Sequence, residues 1–270
     1  MARSARERAA STDRLWLRSL VRSLALQDKP PCSPLSISVF FPCYNEEANV
    51  ERTTMAALKT CRRISQDFEV IIVNDGSSDS TGTIADRLAA ENDEVRAVHN
   101  NPNLGYGGAL QAGFRAATKD WVFYTDGDGQ FDFEDIDKLL PLLAQYDIVS
   151  GYRLDRKDSL MRKANALAWT LLVNTVFWLW LRDIDGAFKI YPRKLFDEIE
   201  MKSMGALIDT EILARAKRLG YSIGQVGVHH YARTAGEQTG ANLGVILRAF
   251  KELFTLRGDI RRTAQKSPKH

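Results

Sequence analysis

Apolar residues in this chain come in short runs, most holding one polar residue, and between the runs they recur at helical spacing. Residues 37–41, 68–73, 95–98, 121–125 and 148–150 are such runs. They are too short for helices and rich in β-branched and aromatic side chains, so each predicts a strand. Behind the first run, Asn45 can cap a helix with Glu46 and Glu47 in its first turn, and Val50, Ala57, Leu58, Cys61 and Ile64 mark its buried stripe. Helices are also expected through Ile84 and Leu88, capped by Asp79, and from Ala109 to Ala117. Further on, Ile212, Leu213, Ala216 and Leu219 mark a helix opened by Asp209 and Glu211, and residues 223–228 read as another strand. The alternation of strand and helix predicts an α/β class with a mostly parallel central sheet and helices on both faces.

Two stretches break the rhythm. In residues 1–34, seven basic side chains face three acidic ones, and Leu15, Trp16, Leu17, Leu20, Val21 and Leu24 recur at helical spacing. Residues 12–26 can form a basic amphipathic helix on an anionic membrane, or a helix packed on the domain; Pro30, Pro31 and Pro34 then make a linker. Residues 164–181 are nearly as long as a short membrane span, but Asn165, Thr170, Asn174 and Thr175 interrupt them. They read either as an ordinary buried helix or as one resting partly on a lipid surface.

Composition narrows the classes further. The 270 residues are 44% hydrophobic and 26% charged, enough for a sizeable core. A net charge of +3 gives no reason to expect nucleic acid as a partner. Three cysteines, Cys32, Cys43 and Cys61, make neither a disulfide framework nor a zinc pattern. The N-terminus has no apolar core beside a small-residue cleavage site, so a signal peptide is not expected.

Polar clusters follow three of the expected strands: Pro42-Cys43-Tyr44-Asn45-Glu46, Asn74-Asp75-Gly76-Ser77 and Asp126-Gly127-Asp128-Gly129-Gln130. Parallel sheets bind ligands at the carboxyl ends of their strands, so the three should converge on one cleft. Asp126 and Asp128 can share one hard cation, Mg2+ or Mn2+, with a diphosphate completing its oxygen shell. Asp75 can accept hydrogen bonds from a nucleobase or ribose, or close an Asx-turn. The glycines at 105, 107 and 108 have the wrong spacing and place for a dinucleotide fingerprint, and a loop shaping the cleft floor is expected instead.

These three motifs, in this order and at these separations, resemble the start of family 2 glycosyltransferases. The resemblance implies a GT-A fold, with a Rossmann-like nucleotide-binding half (35–155) and an acceptor half (156–256), between an N-terminal extension (1–34) and a basic tail (257–270). It also implies inverting, metal-dependent transfer. Ser150-Gly151-Tyr152-Arg153, Asp183-Ile184-Asp185-Gly186-Ala187-Phe188-Lys189 and Asp209-Thr210-Glu211 are similar to the polyprenyl-phosphate branch, which includes dolichyl-phosphate mannose and glucose synthases. By that resemblance Pro42, Tyr44, Glu46, Val73 and Asp75 would bind the nucleoside of a UDP- or GDP-linked sugar, with Gly127 beside the donor. Asp126, Asp128 and Gln130 would hold metal and diphosphate. Arg153 would contact phosphate, and Arg233 is the basic residue expected in a later loop.

An acceptor phosphate is already ionised near neutral pH and needs cations more than a base. Arg153, Arg162, Lys163 and Lys189 are candidates. A hydroxyl acceptor would need a general base, for which Asp209 and Glu211 are the candidates. His229 and His230, adjacent on a strand, point to opposite faces and make a poor metal pair. A long isoprenoid is met at a membrane, so peripheral attachment to its cytoplasmic face is expected, through residues 164–181 and 12–26.

Overall fold

The computed structural model describes residues 35–154, 160–231 and 252–260. The expected helix over 12–26, Arg233 and the last ten residues lie outside the described residues, as do the side chains of Arg162 and Lys163.

The elements run β1 (Ser36–Cys43), α1 (Val50–Ile64), β2 (Asp67–Asn74), α2 (Thr81–Glu91), β3 (Val95–His99), α3 (Gly105–Ala116), β4 (Trp121–Thr125), a short α4 (Ile136–Leu139), β5 (Ile148–Arg153), α5 (Leu160–Phe177), β6 (Phe188–Pro192), a short α6 (Leu195–Glu198), α7 (Ile208–Leu219) and β7 (Ile223–Val228). The strands form one seven-stranded sheet in the order β3-β2-β1-β4-β6-β5-β7. β1 pairs parallel with both β2 and β4. Val39, Phe40, Phe41, Val70, Ile71, Ile72, Val122 and Phe123 are all buried, as strands covered on both faces require. Right-handed crossovers place α1 and α2 on one face and α3 on the other. On the α3 side Phe114 sits edge-on to Phe40 (4.8 Å) and stacks on Phe196 (4.0 Å).

Sequence pattern did not announce β6. It runs antiparallel between β4 and β5 and carries a lysine in a strand whose five residues are all buried. This reversal leaves β5 pointing the same way as β1 and β4. The carboxyl ends of β1, β2, β4 and β5 and the entry to β6 therefore share one rim. β1 feeds β2 on one side while β4 lies on its other side, so the crevice at their ends is the topological switch point of the sheet.

Two local readings are corrected. Asn45 does not cap α1, which begins at Val50. It turns the chain with φ of 55°, and its Oδ1 accepts from Ser78 N at 2.9 Å. The glycine run is helical, and α3 starts four residues earlier than expected. A Cβ on Gly107 would lie 2.5 Å from the Met204 carbonyl carbon and from the Ser203 oxygen, so glycine there admits the 203–205 backbone. Gly107 N donates to Met204 O at 2.9 Å. Gly107→Ala is therefore expected to lose about 1–3 kcal/mol despite its better helix propensity, measured by urea unfolding.

Candidate active site

Three strand ends build the cleft. After β1, Tyr44 is half exposed, while Glu46 is buried and accepts from Asn49 Nδ2 at 2.7 Å. After β2, Asp75 is buried, and its Oδ1 accepts from Asn100 Nδ2 (2.8 Å) and Leu104 N (3.0 Å). Its Oδ2 is the oxygen left for a ligand. Val73 is fully buried in register with Pro42, so only its backbone can reach a nucleoside.

After β4 the chain turns tightly over β1. A Cβ on Gly127 would meet Pro42 O at 2.6 Å, and Gly129, at φ of 70°, would meet Arg52 Nη2 at 2.4 Å. Thr53 Oγ1 of α1 donates to Gly127 O at 3.1 Å, and Gln130 N donates to Asp128 Oδ1 at 3.0 Å. Close packing from below thus fixes the turn that carries both carboxylates. Gln130 Nε2 is committed to Tyr231 O at 2.8 Å, which leaves its Oε1 as the possible ligand atom. Burial and then the Asp128 charge push the Asp126 carboxyl well above its ordinary range. A cation between the two would remove that penalty, and the donor set of carboxylate and amide oxygens suits Mg2+ or Mn2+. Among the described residues no three His, Cys, Asp or Glu side chains gather into a closed cage. A diphosphate would have to complete the shell.

Arg153 ends β5 and is held in a bidentate pair with Asp183, at 2.7 Å from Nε and 2.9 Å from Nη2. Burial pushes Asp183 up, but the guanidinium beside it overrides this and holds the carboxyl below its ordinary value. The Nη1 edge of Arg153 remains for a phosphate. Asp185, two residues on, keeps its side chain accessible.

The other sequence candidates are placed differently. Lys189 is fully buried, and its Nζ donates to Asp209 Oδ1 at 2.6 Å and to Tyr124 Oη at 3.0 Å. Glu211 is fully buried too: Arg215 donates to its Oε1 from Nε (2.9 Å) and Nη2 (2.7 Å), and Lys202 N and Ser203 N donate to its Oε2. Lys189 is thus buried and tied to Asp209 Oδ1, and Glu211 has both carboxylate oxygens committed to protein donors. His229 pairs with Asp135 at 3.0 Å and His230 sits edge-on to Phe131, as their opposite-face reading expects.

Sequence reasoning passed over Tyr106. Its Oη donates to Asp126 Oδ1 at 3.3 Å from the first turn of α3. Burial and then the Asp126 charge push its phenol far up, so it remains a donor. The available signal was its place inside the glycine run, which brings α3 against the cleft.

Known proteins match this chain across the same region. Residues 38–200 match the sequence model of a family described as glycosyl transferase family 2. The chain is 34% identical over 204 residues to glycosyltransferase AglD of Haloferax volcanii, covering 72% of this chain and 33% of AglD. It is 34% identical over 163 residues to the undecaprenyl-phosphate 4-deoxy-4-formamido-L-arabinose transferase of Aeromonas hydrophila, covering 60% of this chain and 50% of that enzyme. The chain thus spans between a third and a half of the length of these relatives. Among solved structures, mannosyl-3-phosphoglycerate synthase from Rubrobacter xylanophilus superposes with a TM-score of 0.65 at 18% identity, over 87% of this chain and 77% of that one. Glucosyl-3-phosphoglycerate synthase from Mycobacterium tuberculosis, in complex with Mn2+ and UDP-glucose, gives 0.61 at 21%, over 83% and 79%. These likenesses show the fold, which is the GT-A arrangement expected from the motifs.

Proposed function

The chain belongs to glycosyl transferase family 2, and from that premise we propose that it moves a hexose, with inversion, from a UDP- or GDP-linked donor to a polyprenyl phosphate. The observation that favours a phosphate over a hydroxyl acceptor is the state of the acidic side chains. Asp209 and Glu211 are locked into buried ion pairs with Lys189 and Arg215. The cleft offers Arg153 close enough to Asp126 to act on its charge, and neither of those two sequence-predicted bases reaches it as an unpaired carboxylate. A phosphate needs only that: its oxygen is already anionic, and a positioned guanidinium offsets repulsion from the donor diphosphate.

In this reading Tyr44, Asp75 and the backbone of Pro42 and Val73 receive the nucleoside, and Asp126, Asp128 and Gln130 Oε1 hold Mg2+ or Mn2+ with the diphosphate. When bound there, the cation supplies Lewis-acid stabilisation of the departing nucleoside diphosphate. Tyr106 orients Asp126, and the Thr53 and Gly127 contacts keep the turn rigid. The Asp183 carboxylate keeps Arg153 extended toward the acceptor.

The proposed place of action is the cytoplasmic face of a membrane, as a peripheral protein. Among the described residues no helix is long and apolar enough to cross one. The undecaprenyl-phosphate transferase relatives carry a lipid phosphate in their names.

The test is to incubate the purified chain and undecaprenyl phosphate with a panel of labelled nucleotide sugars and Mn2+. One sugar is expected in the lipid phase, and Arg153→Ala should raise the acceptor KM by roughly tenfold or more, with donor binding retained. Label reaching only water or a sugar hydroxyl would overturn the phosphate acceptor.

A further inference from the structure

Four large apolar side chains stand out of the surface along α5 and the turn behind it. Leu167 is 71% exposed, Leu171 59%, Trp178 68% and Trp180 64%. A spacing of four residues puts Leu167 and Leu171 on one side of the helix axis, and Trp178 and Trp180 follow in the turn that ends it.

The turn itself is strained. Trp178 and Trp180 both have φ of 58°, a region that bulky side chains avoid. The surrounding structure over-determines it. Trp178 N donates to Asn174 O at 2.7 Å, closing α5. The buried Asn174 side chain then grips Leu181 twice, accepting from its N at 2.9 Å and donating to its O at 2.7 Å. Leu179 and Leu181 are buried, so the leucines point in while the indoles point out, edge-on to each other with centroids 6.1 Å apart. A turn needed only to end a helix would place glycine or asparagine at the left-handed positions. Here the strain displays two indoles to the outside.

The chemistry of that face specifies what covers it. An indole joins a broad apolar ring to a single N–H donor, which suits the boundary between acyl chains and headgroups. Residues 155–158, Asp-Arg-Lys-Asp, balance in charge; Arg162 and Lys163 then precede the face in sequence, Arg182 follows it, and no Asp or Glu occurs between Asp158 and Asp183. This charge matches anionic headgroups.

We propose that the Trp178-Leu179-Trp180 turn, with Leu167 and Leu171, is a bilayer anchor that sets the height of Arg153 above the lipid headgroups. This rests on the polyprenyl phosphate reading above. The link to the cleft is short. Leu181 is clamped by Asn174, Arg182 N is fixed by Gln225 Oε1 at 2.9 Å, and Asp183 is the carboxylate that holds Arg153. Three positions separate the second indole from that carboxylate. Seating the indoles at the interface therefore brings the guanidinium to the level where an acceptor phosphate lies.

Trp178→Gly/Trp180→Gly removes both indoles while keeping residues that adopt the turn without strain, so the variant should be at least as stable as the parent. The full chain is mixed with phosphatidylcholine–phosphatidylglycerol vesicles whose phosphatidylcholine carries brominated acyl chains. With Trp16→Phe introduced in both proteins, bromine should quench the parent's tryptophan emission, and the variant should lose most of that quenching. Transfer to undecaprenyl phosphate in vesicles should fall by roughly tenfold or more, while transfer to a water-soluble short-chain polyprenyl phosphate stays unchanged. Equal quenching with equal vesicle activity would overturn the proposal. So would an equal loss with both acceptors, or conversion of a dimer to a monomer in sedimentation, which would make a second copy the occupant. If quenching behaves as expected but the parent uses neither acceptor, the anchor stands and the acceptor reading fails.

Discussion

Asp126→Asn is expected to lower sugar transfer by about 10²- to 10³-fold while leaving the metal-free protein as stable as the parent or more so. The two effects have one cause. The Asp126 carboxyl is raised to about 7 by burial, by Asp128 and by Asp209. A folded-state value above that of the unfolded chain means that the folded state binds the proton more tightly. The resulting stability is fully present below the unfolded value and is lost as pH rises through the folded one. Metal-free parent should therefore become less stable between about pH 4 and about pH 7, and Asp126→Asn should flatten that slope. Urea unfolding across this range, without metal, reads it directly. Asparagine still accepts from Tyr106, so the local packing survives. What it lacks is the second negative oxygen set for a cation. Mn2+ with UDP should raise the melting temperature of the parent and not that of the variant. Asp128→Asn should lose activity similarly. A folded Asp126→Ala/Asp128→Ala protein with undiminished donor turnover would end the metal-site assignment.

The parts of this site legible in sequence are those where local chemistry and element ends coincide. β1, β2 and β4 are buried on both faces, so they read as short, mostly apolar runs, and the polar clusters behind them mark the rim. Asp75, Asp126 and Asp128 stand out in sequence because each follows a buried strand, and the parallel pairing of β1 with β2 and β4 puts those strand ends on one rim. β6 was hidden because Phe188-Lys189-Ile190-Tyr191-Pro192 carries a charge where a buried strand should have none. The residue that neutralises it, Asp209, lies twenty positions later on α7. Periodicity sees no tertiary partner. Asn45 misled for a related reason: its side chain answers to Ser78 in the loop after β2 rather than to the helix it precedes. Glycine at 107 was visible as a residue, but the backbone that needs it, 203–205, comes from the other half of the chain. Tyr106 hydrogen-bonds Asp126 from a segment that reads in sequence as a glycine-rich loop shaping the cleft floor and is instead the first turn of α3.

Lys189→Met is expected to cost about 3–5 kcal/mol of stability, among the largest effects of any single substitution here. The lysine is fully buried and Asp209 is 1% exposed, so removing the ammonium strands a carboxylate in the core. Tyr124 Oη also donates to Asp209, and Lys189 reaches the Gly186 carbonyl, so the loss spreads through a network joining β4, β6 and α7. A domain of this size has about 5–15 kcal/mol in total, so the variant should unfold at markedly lower urea. Lys189→Met/Asp209→Leu should recover much of the loss, because an apolar pair of similar volume replaces the ion pair without stranding either charge. The same measurements decide the role of the lysine. A cation that met the acceptor phosphate would leave a stable Lys189→Met protein with a raised acceptor KM and unrescued activity. A structural cation predicts that stability and activity fall together and return together in the double variant. On α7 the buried Glu211–Arg215 pair extends to the partly exposed Asp259. Ion pairs therefore tie α7 to β6 and to residues 252–260.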